Sequence, residues 1–406
     1  MKYAVWFVRL IFAAWMIPAG LNHFVPLFPQ PMGSQPLSME LIVALLDSHL
    51  FDLVKAVELI AGIGLLFGFY TPLALLICLP ISFGVFYWDA PLEGWGSVAA
   101  IYGYSVLLCN VLLLLAYNRY YRPMLALRAE VSERTQLVRA GRVVLGAWTV
   151  LFAANILFLS FWPAPTGTEP LAEQLMTSLA NSRLLHVALA VQLVAGLLLL
   201  AGFLVPLALT AQLCVTTCAV FWAVFLEHSP VGALLTLATF ALTGLLMLAY
   251  LPYYRAILQR HTLAAGEEAG SANYDALFVN NQGKTSRADY VPAMAVVLVT
   301  MAFFAYVVSG RTADFCMLVL LYPLFTVLIR RFRDMGRHPW LLFAPVMLML
   351  LAFDIRLGYF SLGEQADVIF TWIALAVTAV YIVWGGAGTA RVPYLEQRET
   401  SPRIQA

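Results

Sequence analysis

Four ionisable side chains among the first ninety residues could do chemistry in an apolar surround: His23, Lys55, Glu58 and Asp89. Glu58 heads the string ELIAGIGLLFGFYTPLAL, Glu58 to Leu75. A carboxylate set among apolar residues is costly unless it is paired or hydrated. Lys55 precedes it by three residues, on the same face of a helix. His23 falls near the end of the preceding apolar segment and Asp89 at the end of the following one. An imidazole and a carboxylate at one level can exchange protons with a small ligand or hydrogen-bond it in a pocket. Equally, Glu58 can pair with Lys55 or with water at the rim and serve helix packing alone. His49 added to His23, Glu58 and Asp89 supplies ligand types that suit a metal ion. The diagnostic spacing, such as HExxH, is missing. Haem held by His23 and His186 would need both on adjacent helices at equal depth.

Long apolar helices must position these groups. The 406 residues are 62% hydrophobic and 11% charged, with a mean hydropathy of +0.85. This composition excludes a soluble domain and reads as an all-α, polytopic membrane protein. Apolar runs of spanning length, from 4–24 through 53–70 and 72–88 to 368–385, make about twelve transmembrane helices. Eleven is the alternative, because 313–329 and 340–353 are short. No small-residue cleavage site follows the first run, which is expected to stay as the first helix. All Lys and Arg but Lys55, Arg183, Arg311 and Arg356 fall on one side if both termini are cytoplasmic, as in a bacterial inner membrane. Glu58 then lies about four residues inside the outer end of the second helix, roughly 6–9 Å deep. His23, Lys55 and Asp89 gather at the same outer mouth.

The Glu58 string recurs 134 positions later as QLVAGLLLLAGFLVPLAL, identical at 11 of 18 positions. Arg9, Trp15 and Asn22 likewise answer to Arg142, Trp148 and Asn155. The spacing predicts a four-helix module over 1–128 and a degenerate second copy over 139–260. An even number of spans makes the copies parallel rather than inverted. Glu58 becomes Gln192, His23 becomes Ile156, and no acid answers Asp89 before Glu227. Any site therefore belongs to the first copy. A polar cytoplasmic tether is expected over 261–282, a third four-helix module over 283–388 and a polar tail over 389–406. The third module centres on RRFRDMGRHPW, 330–340. Arg330, Arg331, Arg333 and Arg337 there can clamp lipid phosphates or an acidic partner. Alternatively, pairing with Asp334 shapes the turn, and the remaining charge follows the positive-inside bias.

The first two modules resemble the DoxX-like family of four-helix membrane proteins in the early arginine, the E/Q-L-x-A-G-x-x-L-L-x-G-F-x-x-P-L-A-L string and the four-span spacing. The third resembles the Domain-of-Unknown-Function 805 family, through Gly283, Lys284, Arg287 and Tyr290 and through Arg330, Arg331, Asp334, Gly336 and Trp340. Lys284 and Arg333 stand where that family has arginine and histidine. The first resemblance implies redox partners at the membrane, with a quinone as one ligand. The second implies no biochemical role.

Nothing points to nucleic acid. Cys78, Cys109, Cys214, Cys218 and Cys316 all fall in apolar helices without a CxxC pair, which argues against dithiol redox chemistry. No soluble catalytic domain or catalytic motif is present. The sequence reads as a membrane subunit or docking scaffold in contact with the bilayer and with membrane or periplasmic redox partners. The alternative is a transporter or channel for a small solute, lipid or metal ion. The path inward from Glu58 through Ala61, Gly62, Leu65 and Leu66 carries no further charge, which weakens that alternative.

Overall fold

The computed structural model describes residues 1–131, 135–270, 272–308 and 310–389. Arg134 and the expected tail from residue 390 onward lie outside them. The described residues form helices and no strand. In chain order the longer helices are α1 (Lys2–Phe24), α2 (Pro36–Asp47), α3 (Leu50–Phe67), α4 (Thr71–Tyr87), α5 (Val98–Ala116), α6 (Thr135–Ala154) and α7 (Pro170–Asn181). They continue as α8 (Leu184–Ala201), α9 (Val205–Phe221), α10 (Pro230–Ala249), α11 (Arg287–Val307), α12 (Arg311–Asp334), α13 (Phe343–Leu357) and α14 (Glu364–Ala387).

Among the described residues, eleven helices are long and apolar enough to cross a membrane, so the chain is a multi-pass membrane protein. The two runs that looked short are complete: spans cover Arg311–Asp334 and Pro339–Leu357. The segment that separates eleven from twelve is α3. It is helical for 18 residues but carries Asp52, Lys55 and Glu58.

Local chemistry sets the helix ends. Ser97, Ser229 and Ser286 cap α5, α10 and α11 by accepting from Ala100, Gly232 and Asp289 N–H. Pro36 and Pro170 open α2 and α7, where their missing N–H costs nothing. Gly68 (φ +74°) and Gly202 (φ +75°) end α3 and α8 in the left-handed conformation that glycine adopts without a Cβ penalty.

The chain divides into two compact units. The first comprises Met1–Pro29, Glu58–Leu75 and the chain from Arg260 onward. In it α1 packs on α11 and α12, and α13 and α14 complete the bundle. Lipid is as apolar as leucine, so packing rather than water exclusion holds such helices, and small residues let backbones approach. A Cβ on Gly20 would stand 2.7 Å from Leu59 N, and one on Gly62 would stand 2.9 Å from Met16 Cβ. These two glycines fix the crossing of α1 and α3.

The second unit comprises Gln30–Val57 and Leu76–Gln259. There α6 and α8 meet at Gly146 and Gly196, whose added Cβ atoms would stand 3.0 Å from Gly196 O and 2.5 Å from Thr149 Oγ1. Helix α9 packs on α8 and on α10, and α10 packs also on α6. The short helices α2 and α7 pack together over a cluster of Ala44, Leu50, Ala172, Leu175 and Leu226.

Candidate functional site

The four residues expected to form one mouth fall in different units: His23 and Glu58 in the first, Lys55 and Asp89 in the second. Glu58 is 2% exposed and adjoins Leu59, the residue against which Gly20 packs. His23 lies three residues beyond Gly20 on α1, half-buried, with its ring edge-on to Phe24. Both therefore belong to the α1–α3 crossing. Asp89 is 7% exposed, in a π-helical turn, Trp88–Leu92, that extends α4. A Cβ on Gly103 of α5 would stand 2.7 Å from Asp89 Cβ, so only glycine admits the acid there. Lys55 and Glu93 are the charged groups whose fields reach it. His49, offered as a metal ligand, instead pairs with Asp52 at 3.0 Å.

Two clusters organise the first unit's polar interior. Arg9, 1% exposed, donates from Nε to Leu65 O at 2.8 Å and lies 3.6 Å from the centre of the Tyr274 ring. Its Nη2 stands 3.7 Å from Asp275 Oδ1. Burial pushes the Asp275 carboxyl up, against the pull of Arg9 and His261. Glu267 accepts from Trp6 Nε1, from Ala264 N at 2.6 Å and from Tyr274 N at 2.9 Å. Tyr274 in turn donates to Leu66 O. Within the segment expected as a polar cytoplasmic tether, 261–282, Glu267 and Tyr274 thus bond to α1 and α3, and Tyr274, Leu277 and Phe278 are buried. A buried arginine needs a counter-charge, and this segment supplies the Asp275 carboxylate and the Tyr274 ring.

The second cluster is the arginine turn. Arg330 donates to Thr285 Oγ1 at 2.8 Å and to the carbonyls of Asn280, Gln282 and Lys284. Arg331 donates to Gly385 O at 2.8 Å, to Gly388 O at 2.6 Å and to Asp334. Both guanidiniums are buried. These bonds tie α12 to 280–285 and to the end of α14. Fixed planar forks meeting several carbonyls are what Arg offers and Lys does not. Arg333 donates to Asn281 O but stays half-exposed. Arg337 is exposed over the Trp384 ring. Lys284, Arg333, Arg337 and His338 line a cleft of about 500 Å³ with Gly283, Gly336 and Pro339.

In the second unit Glu93 and Glu227, which the sequence reading did not pair, do parallel work. Glu93 accepts from Ser34 N (2.8 Å), Ser34 Oγ (2.5 Å), Gln35 N (3.2 Å) and Ser38 Oγ. Burial acts to raise its carboxyl, but these donors from Ser34, Ser38 and Gln35 outweigh it and hold the pKa at about 2. Glu227 accepts from Thr168 N and Oγ1, both 2.8 Å, and from Glu169 N at 3.4 Å. The Thr168 amide leads in lowering its pKa. Trp88 Nε1 donates to Ser38 O at 2.9 Å, and Trp222 Nε1 to Ala172 O at 3.1 Å. Glu227 thus stands where Glu93 does rather than in place of Asp89, to which Ala223 corresponds at the same 134-residue offset. That offset, applied to the acids outside the apolar string, would have found the pair.

Two asparagines also match: Asn22 Oδ1 accepts from Leu27 and Phe28 N–H, and Asn155 Oδ1, in the π-helical turn after α6, from Phe161 and Trp162 N–H. No family model, curated protein or solved structure matches the chain.

Proposed function

We propose that the protein is a multi-pass subunit or docking scaffold of a bacterial inner membrane, with both termini cytoplasmic. In this reading two DoxX-like four-helix modules, over 1–128 and 139–260, precede one that resembles the Domain-of-Unknown-Function 805 family. The distribution of Lys and Arg supports the orientation. The paired glutamate, tryptophan and asparagine geometries at offsets of 133 and 134 residues support the duplication.

The docking site is the α1–α3 crossing, and its ligand is a quinone carried by the membrane or brought by a redox partner. The observation that carries this is Glu58, a carboxyl 2% exposed inside an apolar helix, on the crossing that also holds His23. An intramembrane ionisable group marks a functional site by default. A quinone has an apolar ring and two carbonyl acceptors, so a carboxyl O–H or an imidazole N–H would orient it by donating to one carbonyl.

The test is purification of wild type and Glu58→Gln in mild detergent, followed by solvent extraction, mass spectrometry and an absorption spectrum. Wild type should carry quinone, and the variant should hold it about tenfold less at equal accumulation in the membrane, the size expected for one hydrogen bond to a charged or buried partner. A wild type free of quinone, or a variant that retains it in full, overturns the reading.

A further inference from the structure

We propose that the cleft lined by Lys284, Arg333, Arg337 and His338 binds the phosphate of an anionic phospholipid headgroup. The inference rests on the chain spanning a bilayer and is independent of any ligand at Glu58.

Charge comes first. The lining brings together three permanent cations and a histidine, and it includes no acid. The nearest carboxylate on the turn, Asp334, is buried and held by Arg331. Neither Lys284, Arg333 nor Arg337 enters an ion pair among the described residues. His338 Nδ1 accepts from Trp340 N at 3.2 Å, and that tautomer leaves Nε2–H as a donor.

The cleft is also built rather than merely charged. Arg330, through the carbonyls of Asn280 and Lys284, and Arg331, through that of Thr285 at 3.4 Å, fix the 280–285 loop. Gly336, at φ +67°, closes α12 with Arg337 N–H donating to Phe332 O at 2.8 Å, which sets Arg337 and His338 at the helix end. A volume of about 500 Å³ suits a glycerophosphate headgroup.

Position selects lipid over a soluble anion. The lining residues sit where the span Arg311–Asp334 ends, where Pro339–Leu357 begins, and just ahead of the span Arg287–Val307. Three span ends mark the level at which hydrocarbon gives way to water. Trp340, 72% exposed, Phe343, also exposed, and Trp384 beneath Arg337 flank the cleft with the aromatic residues that favour this level. A zwitterionic headgroup would bring its own ammonium toward the same cations. The site should therefore discriminate against choline and ethanolamine lipids.

The experiment is native mass spectrometry of the full chain in detergent, titrated with phosphatidylglycerol, cardiolipin or phosphatidylcholine, with inorganic phosphate and glycerol 3-phosphate as water-soluble competitors. Wild type should prefer the anionic lipids by about tenfold or more, and Lys284→Gln/Arg337→Gln should abolish the preference at unchanged thermal stability. The single Lys284→Gln variant decides if the double variant fails to accumulate, because the side-chain nitrogen of Lys284 bonds to nothing among the described residues. Lys284→Gln alone should weaken the preference severalfold. Equal retention of phosphatidylcholine by wild type, or an unchanged preference in the variants, overturns the proposal. So does displacement of lipid by millimolar inorganic phosphate, which would make this a soluble-anion site.

Discussion

The stretches 33–93 and 167–227 solve the same local problem with different charges. Each starts from a glycine in the left-handed region, Gly33 at φ +84° and Gly167 at +87°. Each then ties the start of a short helix to a glutamate one residue past a π-helical turn, and pins that helix with a tryptophan N–H. What is shared is what the backbone requires, namely positive φ and partners for the first N–H groups of a helix. What differs is charge at side chains that face a neighbour. Glu40 of α2 accepts from Asn181 at 2.8 Å, and Asp47 accepts from Gln174 at 3.0 Å. At an offset of 134, Gln174 answers to Glu40 and Asn181 to Asp47. The pairing of α2 with α7 is therefore reciprocal, and two identical copies would set acid against acid in both pairs. Amides on one side remove that repulsion, which is a physical reason for the two stretches to differ.

The largest expected effect tests the clamps. Glu93→Ala should lower unfolding stability by about 2–3 kcal/mol and Glu227→Ala by about 1–2 kcal/mol, because Glu93 takes an additional hydroxyl donor, Ser38. Tryptophan fluorescence during thermal unfolding in detergent would report both through Trp88 and Trp222. Equal losses would show that the Ser38 contact adds nothing. The pH dependence follows from the sign of the shift. The pKa of Glu93 is lowered from 4.5 to about 2, so its contribution is complete above 4.5 and fades as pH falls from 4.5 toward 2. Glu93→Ala should lose that acid limb while keeping the rest of the profile.

An intermediate effect tests the exchange of acids for amides. Gln174→Glu with Asn181→Asp would place like charges against Asp47 and Glu40, costing about 0.5–1 kcal/mol per pair at neutral pH, since the groups are exposed. The loss should shrink in high salt and near pH 4. Adding Asp47→Asn and Glu40→Gln should restore stability by reversing the pairing. A double variant as stable as wild type would leave the difference between the two stretches without an electrostatic cause.

Sequence legibility followed the same division. The positions of the long apolar helices were readable because apolar length acts locally. Helix α7 was missed, although it repeats α2 at the offset, because Glu173 and Gln174 dilute its apolar face. At the candidate site, an acid in an apolar run singled out Glu58, but nothing local reveals which helix crosses it. The roles of Arg330 and Arg331 were hidden for another reason. Their acceptors are backbone carbonyls of 280–285 and of Gly385 and Gly388, and carbonyls leave no mark in a sequence. The burial of 261–282 went unread likewise, since Arg9 and Tyr274 lie far apart in the chain.

The smallest effect bears on what the copies share. Trp88→Phe and Trp222→Phe each remove one indole N–H from a helix carbonyl while keeping most of the ring's packing. Each should cost about 1 kcal/mol, the net worth of one such bond. The two losses should agree within a few tenths of a kcal/mol, because 2.9 Å and 3.1 Å are both ordinary N–H to O lengths. Circular dichroism during thermal unfolding is the suitable readout, since each variant loses a fluorescent reporter. A Trp88→Phe loss well above that of Trp222→Phe would tie Trp88 to the neighbouring Asp89, at whose offset position the second stretch has Ala223. In that event the tryptophan would belong with the diverged chemistry of the first stretch rather than with the backbone support common to both.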